Sequence, residues 1–198
     1  MIEIFAFYKF KKLNKITTLR KVIFNKICKY NVKGLVIISP EGINGSISGK
    51  KKDISILSKY IKKIIFVRSF DIQNKLYSNF IPFLKLKVKV KNEVVPINEK
   101  YKFKSNNKKK YLSPREWDKF LNKKNIKIID ARKPFEYDIG TFKGAINPKT
   151  KNFRDFKNYL TELKKNEPVG MFCTGGIRCE KATNYLHKKG FRNVYMLK

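Results

Sequence analysis

A short apolar strand that runs directly into a glycine-rich loop constrains the fold of this chain most strongly. Val169–Phe172 is apolar, the loop from Cys173 to Arg178 contains two glycines, and a helical pattern follows as far as Gly190. The glycines let the backbone curl so that its N–H groups point inward, and the helix start adds a positive dipole end. With the charge of Arg178, these features favour a thiolate and predict that Cys173 is a nucleophile.

The length of this loop separates two kinds of chemistry. Cysteine phosphatases place five residues between their cysteine and arginine, whereas four residues separate Cys173 from Arg178. The smaller ring suits a sulfur atom better than a phosphate group, so phosphatase activity is disfavoured. An inert buried cysteine beside a glycine turn is the alternative. The predicted active-site loop is Cys173, Thr174, Gly175, Gly176, Ile177 and Arg178.

The C-terminal half of the chain alternates strands with helices, which indicates a parallel α/β sheet. Ser113, Pro114 and Glu116 have the spacing of a capped helix start. Strands are predicted at 126–130, 145–147, 169–172 and 193–197, and further helices at 153–165 and 178–189. Ligands of such sheets bind beyond the carboxyl ends of the strands, where Cys173 falls.

Several polar residues accompany the loop in the predicted sheet. Asp130 and Arg132 end a strand on the same side as Cys173, where they orient the loop, bind substrate or form a structural ion pair. Glu136 is expected to hydrogen-bond near that strand end in a structural role. Cys179 either resolves a Cys173 persulfide or disulfide, or packs in the core, which is favoured one turn into the helix.

The N-terminal half reads as strand, helix, strand, strand, helix, strand. This order predicts a ferredoxin-like (acylphosphatase-like) βαββαβ sandwich over residues 1–92, an α+β domain before the α/β one. Asn44 and Gly45 are expected in a turn, where they contact RNA or simply form a tight hairpin. The strands are predicted at 2–10, 34–39, 46–48 and 84–90, and the helices at 17–30 and 53–64.

A basic linker is predicted over residues 93–110, followed by the second domain at 111–198. The linker ends in a run of lysine, serine and asparagine, whose lysines are solvated or contact RNA. The whole chain has a formal net charge of +32, yet only seven of its 47 basic residues are arginine. Because lysine, asparagine and isoleucine have AT-rich codons, genome composition explains part of this charge, and RNA binding is permitted without being demonstrated.

Composition also limits compartment and metal content. No apolar run approaches the ~20 residues of a membrane span, and the N-terminus lacks a signal peptide, so we expect a cytoplasmic protein. Three cysteines and a single histidine, His187, argue against a disulfide framework and a structural metal site. Cys28 is expected in the core, His187 in solvent, and Trp117 and Phe120 in packing contacts.

The long run from Cys173 to Ala182 resembles the signature of bacterial rhodanese-domain tRNA uridine hydroxylases. The resemblance implies oxygen-dependent conversion of the wobble uridine to 5-hydroxyuridine, with tRNA as partner, molecular oxygen as co-substrate and Cys173 as a persulfide-type catalytic residue. Thr141 stands where rhodanese domains often carry histidine. The family usually continues beyond the position of Lys198, so the 111–198 domain is expected to be incomplete at its C-terminus. Further matching segments are 40–45, 87–95, 129–132, 135–137 and 140–145.

Two other functions remain open on the residues alone. A rhodanese-type sulfurtransferase would carry sulfane sulfur as a Cys173 persulfide. A non-enzymatic RNA-binding protein would use the rhodanese-like unit only for docking. No metal or flavin motif is visible in the sequence, so no bound cofactor is predicted, and the oligomeric state is left open.

Overall fold

The computed structural model describes residues 1–103 and 110–198 and divides the chain into two compact units, Met1–Val94 and Val95–Lys198. Parts of the predicted linker at 93–110 pack onto these units. Val94 donates its backbone N–H to the Glu41 carboxylate within the first unit, and Ile97 is fully buried in the core of the second. Residues 104–109, which hold most of the predicted basic run, lie outside the described residues.

The first unit is a five-stranded sheet with two helices. Its strand order is β4-β1-β3-β2-β5, antiparallel throughout except for the parallel pair of β2 and β5. Both helices bury apolar residues in the core that they share with the sheet, two isoleucines from α1 and two isoleucines and a leucine from α2. The elements are β1 (Ile2–Phe10), α1 (Ile16–Ile27), β2 (Lys33–Ser39), β3 (Gly42–Lys50), α2 (Lys51–Ile64), β4 (Ile72–Ser78) and β5 (Leu86–Val90).

The predicted βαββαβ motif is present, but its last strand is β4 and not the predicted strand at 84–90. The lysine-rich β5 instead adds a fifth strand at the opposite edge, parallel to β2. Sequence analysis missed β4 because it lies at an edge and is largely exposed on both faces. It therefore lacks the period-two alternation of apolar residues that reveals a half-buried strand.

The predicted turn at Asn44 and Gly45 is wrong, because both residues lie inside β3. The chain reverses earlier, at Pro40 and Glu41 between β2 and β3. Gly42, the first residue of β3, adopts a φ of +150°, and a side chain there would meet the Lys9 carbonyl oxygen at 2.1 Å. Gly45 is required for packing, since an added Cβ would lie 2.7 Å from the Phe7 ring. Cys28, expected in the core, is exposed just after α1.

The second unit is a parallel four-stranded sheet in the order β6-β9-β8-β7, which confirms the predicted fold class. The predicted strand at 145–147 is reduced to a bridge between Ile129 and Ile146, and the predicted helix at 153–165 is a single short segment. The elements are β6 (Tyr111–Leu112), α3 (Pro114–Leu121), β7 (Lys127–Asp130), α4 (Pro134–Ile139), α5 (Phe156–Thr161), β8 (Val169–Phe172), α6 (Ile177–Lys188) and β9 (Val194–Leu197).

Apolar side chains pack into two clusters in this unit. Trp117 and Phe120 of α3 form one cluster with Phe172, as the sequence predicted for the two α3 rings. The other cluster holds Phe156 of α5 with residues of α6 and of the inner strands. Gly170 in β8 permits this packing, since an added Cβ would lie 2.5 Å from the Phe120 ring. The sheet thereby fixes the end of β8, where the loop begins.

A buried carboxylate ties helix α6 to two earlier segments of the same unit. Glu180 is 1% exposed and accepts hydrogen bonds from the hydroxyls of Tyr101 (2.9 Å) and Tyr111 (2.8 Å). His187, expected in solvent, is half-buried near the other end of α6, and burial lowers its pKa. In the described part of the chain, no helix is both long and apolar enough to cross a membrane.

Candidate active site

Cys173 lies immediately after β8, at the carboxyl end of the parallel sheet. Gly176 has a φ of 79° and serves as the N-cap of α6, so the chain passes from the loop into the helix at Ile177. A residue with a Cβ rarely adopts this left-handed conformation, which accounts for glycine at that position. The backbone N–H of Glu180 donates to the Gly176 carbonyl and closes the first turn of the helix.

The surroundings of Cys173 stabilise its thiolate. The hydrogen bond from the Cys179 thiol contributes most, and the Arg178 charge and the N–H groups of Cys179 and Gly175 add to it. Burial opposes these effects, yet the pKa of Cys173 falls to about 6. Burial and the neighbouring thiolate raise the pKa of Cys179 well above its ordinary value, so Cys179 stays protonated and donates. Most Cys173 side chains are therefore ionised at neutral pH.

Arg178 is held in place by Glu136 and Thr174. Its Nη1 lies 3.3 Å from Glu136 Oε2 and its Nη2 donates to Thr174 Oγ1 at 3.0 Å, while the Thr174 hydroxyl donates to Glu136 Oε1. The backbone N–H of Lys133 also reaches Glu136 Oε2, at 3.1 Å. Although burial alone would raise it, these hydrogen bonds lower the pKa of Glu136 to about 2. Glu136 thus connects α4 to the loop and fixes the cation that faces Cys173.

Asp130 and Arg132 form a bidentate ion pair at the end of β7. Arg132 Nε donates to Asp130 Oδ1 at 2.9 Å and Nη2 donates to Oδ2 at 2.6 Å, with Asp130 fully buried. The Thr141 hydroxyl adds a hydrogen bond to Asp130 Oδ2 at 3.0 Å. Arg132 also reaches the Gly140 carbonyl at 2.6 Å. This pair therefore holds the segment around Gly140 and Thr141 against the strand end.

A pocket of about 380 Å³ opens beside Cys173. Its size is at the lower end of the range for small-molecule sites. Phe142 and Phe172 meet edge to face with ring centroids 4.9 Å apart, which gives the pocket an apolar wall next to the charges of Arg132 and Glu136. The lining residues are Arg132, Glu136, Gly140, Thr141, Phe142, Phe172, Cys173 and Thr174. The pocket therefore presents an apolar wall and charged groups side by side.

The structure brings some predicted site residues into the pocket and leaves others outside it. Cys173, Thr174 and Arg132 line the pocket, whereas Asp130 and Cys179 lie buried behind it. The last three loop residues, Gly176, Ile177 and Arg178, supply the helix start and its charge, and Gly175 contributes an N–H near the sulfur. Within residues 1–103 and 110–198, no cluster of three or more His, Cys, Asp and Glu residues could hold a metal ion.

Comparisons with known proteins assign both units. Residues 2–94 match the UPF0176 acylphosphatase like domain, and residues 113–198 match the rhodanese-like domain. A tRNA uridine(34) hydroxylase of Pelagibacter ubique (strain HTCC1062) is 48% identical over 198 residues, which are all of this chain and 65% of that relative. One of Legionella pneumophila (strain Paris) is 40% identical over 200 residues, covering 99% of this chain and 78% of the relative. The chain belongs to the tRNA uridine(34) hydroxylase family.

This family member spans just under two thirds of the Pelagibacter relative. A further Legionella pneumophila relative (strain Lens), also named tRNA uridine(34) hydroxylase, is 41% identical over 200 residues and is covered to 78%. Among solved structures, a rhodanese-like domain protein from Staphylococcus aureus is 26% identical, with a TM-score of 0.37, and the match covers 43% of this chain and 81% of that one.

The ionisation of Cys173 in this family member predicts a pH profile for its alkylation. In a Cys28→Ser background, the iodoacetamide rate should fall to half its plateau near pH 6, because only the thiolate reacts. Arg178→Gln removes a stabilising charge and should move this midpoint to higher pH. The exposed Arg115→Gln serves as the matched control and should leave it unchanged. An unshifted midpoint in Arg178→Gln would contradict the role given to that arginine.

Proposed function

We propose that this chain is a tRNA-modifying enzyme that hydroxylates the wobble uridine to 5-hydroxyuridine in the cytoplasm. The main support is an ionised cysteine in a rhodanese-type loop beside a pocket suited to a nucleobase. Its relatives in Pelagibacter and Legionella are named tRNA uridine(34) hydroxylases, which supports uridine 34 of tRNA as the substrate. Cys173 is the proposed catalytic residue.

In this proposal the residues of the pocket divide the work among them. Phe142 and Phe172 pack against the uracil ring, and Arg132 faces its polar edge. The Cys173 thiolate adds across the C5–C6 double bond of uracil and leaves again when that double bond re-forms, or it accepts a sulfane sulfur from a persulfide-class donor. Both roles need the ionised form that Arg178 and Cys179 stabilise. Glu136 and Thr174 are positioning residues that act through Arg178.

Molecular oxygen is the proposed co-substrate. Hydroxylation replaces the C5–H bond of uridine by C5–OH with one atom of O₂. The other oxygen atom takes up two electrons and two protons from a reductant of the thiol class and leaves as water. Incubation of the purified chain and tRNA with such a reductant under air and under argon tests this requirement. We expect 5-hydroxyuridine only under air, and equal yields under argon would contradict it.

Analysis of tRNA nucleosides by mass spectrometry tests the function in cells. Cells that lack the gene should lose 5-hydroxyuridine and the wobble nucleosides derived from it, and the reintroduced chain should restore them. Reintroduction with Asp138→Asn, an exposed position that does not itself line the pocket, is the matched control and should restore them equally. Unchanged wobble nucleosides in the deletion strain would refute the proposal.

A sulfurtransferase is the second candidate, because the six-residue loop and the low pKa of Cys173 suit a persulfide as well. It predicts transfer of sulfur from thiosulfate to cyanide by the wild-type chain and none by Cys173→Ser. The non-enzymatic alternative predicts that Cys173→Ser keeps every cellular phenotype together with RNA binding. The nucleoside measurement separates both alternatives from hydroxylation.

A further inference from the structure

A second concave surface lies in the first unit, between helix α1 and the edge strand β5. It is a groove of about 360 Å³ whose walls carry the cations Arg20, Lys85, Lys87 and Lys89. Phe24 of α1 also lines it, and no carboxylate does among the described residues. We call this surface the α1/β5 groove. Its charge is of one sign, which favours an anionic ligand.

Arg20 is fixed at this groove by two contacts of its own unit. Its Nε donates to the Val88 carbonyl at 3.1 Å, and its guanidinium carbon lies 5.1 Å from the centre of the Phe24 ring. The hydrogen bond satisfies a carbonyl of β5, and the ring orients the guanidinium plane through a cation–π contact. In the described part of the chain, the two terminal amino groups of Arg20 have no protein partner. A planar guanidinium group that is already fixed in orientation is well suited to donate hydrogen bonds to phosphate oxygens.

The lysines of the groove are evenly spaced. Lys87 and Lys89 alternate with Val88, which points into the core, and Lys85 immediately precedes β5. Because a strand rises about 3.3 Å per residue, successive lysines stand roughly 6.6 Å apart along the chain. That separation is comparable to the distance between neighbouring phosphates of a nucleic-acid strand. All three are exposed, and none forms an ion pair within residues 1–103 and 110–198.

We propose that the α1/β5 groove binds the phosphate backbone of the tRNA substrate. The inference rests on the proposed function for the nature of the RNA, and on the groove itself for the place of binding. Four cations gathered along one groove, with Arg20 oriented by Phe24, distinguish this surface from the general lysine excess of the chain. Backbone contacts of this kind provide affinity and position, without reading sequence.

A second copy of the chain is the competing occupant, because β5 lies at the edge of the sheet and pairs only with β2 among the described strands. Edge-to-edge pairing of two such strands would bring the lysines of both copies together. These like charges would repel each other, and lysine on an edge strand acts against such pairing. The charge of the groove therefore favours RNA over self-association.

Two triple variants of the full chain test the groove. The groove variant is Lys85→Gln, Lys87→Gln and Lys89→Gln. The control variant is Lys51→Gln, Lys52→Gln and Lys63→Gln, which removes the same charge from exposed positions of α2. Binding of a fluorescein-labelled tRNA transcript is measured by polarisation at several salt concentrations, after thermal unfolding has shown that both variants are folded.

The groove variant should bind tRNA roughly 10- to 100-fold more weakly at low salt, and the slope of log Kd against log salt should fall by about 2 to 3. The control variant should change affinity less than about threefold. Equal losses in both variants, or no loss in the groove variant, would overturn the inference. A groove variant with unchanged tRNA affinity but an altered sedimentation mass would assign the edge to self-association instead.

Failure of the groove and failure of the proposed function give different results. If the wobble nucleosides depend on the gene but the groove variant binds tRNA normally, the groove inference fails alone. If the nucleosides are unchanged in the deletion strain while the groove variant loses tRNA binding, the hydroxylase proposal fails and the binding surface stands.

Discussion

Replacement of Cys173 by serine is expected to abolish 5-hydroxyuridine formation. The rate should fall by a factor on the order of 10⁴ or more, the scale on which loss of a nucleophile acts in other enzymes. A serine hydroxyl stays protonated in surroundings that hold the pKa of Cys173 at about 6, so it offers no comparable nucleophile. The measurement is single-turnover formation of 5-hydroxyuridine in a tRNA transcript, quantified by mass spectrometry.

Two other cysteines provide internal controls for this experiment. Cys28→Ser alters an exposed residue of the first unit and should keep full activity. Cys179→Ser retains a hydroxyl donor beside Cys173, so it should slow the reaction less than Cys173→Ser does. The alkylation midpoint of Cys173 should move to higher pH in this variant, because the shorter serine side chain weakens the hydrogen bond that contributes most to the lowered pKa of Cys173. Full activity of Cys173→Ser would exclude that cysteine as the catalytic residue.

Asp130→Ala is expected to be the most destabilising single change at the site. Asp130 is fully buried and receives two hydrogen bonds from the Arg132 side chain that are 2.9 Å or shorter, and another from Thr141. Loss of the carboxylate leaves the guanidinium half-buried without its partner. Breaking a buried ion pair on one side costs about 3 to 5 kcal/mol, and the partial exposure of Arg132 places our expectation at about 3 kcal/mol.

Urea unfolding, monitored by tryptophan fluorescence, measures this loss of unfolding free energy in the second unit, which contains Asp130. Trp117 is the single tryptophan of the chain and is 1% exposed within the second unit, so its emission reports that unit. Asp138→Ala is the matched control, because Asp138 is exposed and its removal should change the free energy of unfolding by less than about 0.5 kcal/mol. Similar unfolding curves for the two variants would show that the Asp130–Arg132 pair is not a structural support.

The parts of the fold that could be predicted from sequence are those with local causes. Ser113 and Glu116 form the capping box that their spacing indicates, and β8, the Cys173 loop and α6 follow one another as predicted. Glycine and capping chemistry act over a few residues, so a single sequence reveals them. The parallel sheet follows because its buried strands are continuous apolar runs separated by amphipathic helices.

Two kinds of feature escaped prediction, a helix without an apolar face and contacts between residues far apart in the sequence. Helix α4 has six residues and buries none of them, so it leaves no apolar periodicity to detect. The ion pair of Glu136 with Arg178 joins residues 42 positions apart in the sequence, and the hydrogen bond from Thr141 to Asp130 joins residues 11 positions apart. The aromatic wall of Phe142 and Phe172 likewise forms only when β8 and the segment after α4 come together. Nothing in the spacing of these residues reveals such pairings.

The buried Glu180 carboxylate of α6 belongs to the same long motif, Cys173 to Ala182, as the active-site loop. A mutational screen would therefore confuse two kinds of residue in this motif. The residues up to Arg178 form the loop around the sulfur, whereas Glu180 accepts hydrogen bonds from Tyr101 and Tyr111. A library scored by product alone would record losses at both kinds of residue as the same defect. If the library is also scored for cellular protein abundance, substitutions at Glu180 should group with folding defects. Substitutions at Cys173 should leave an abundant but inactive protein.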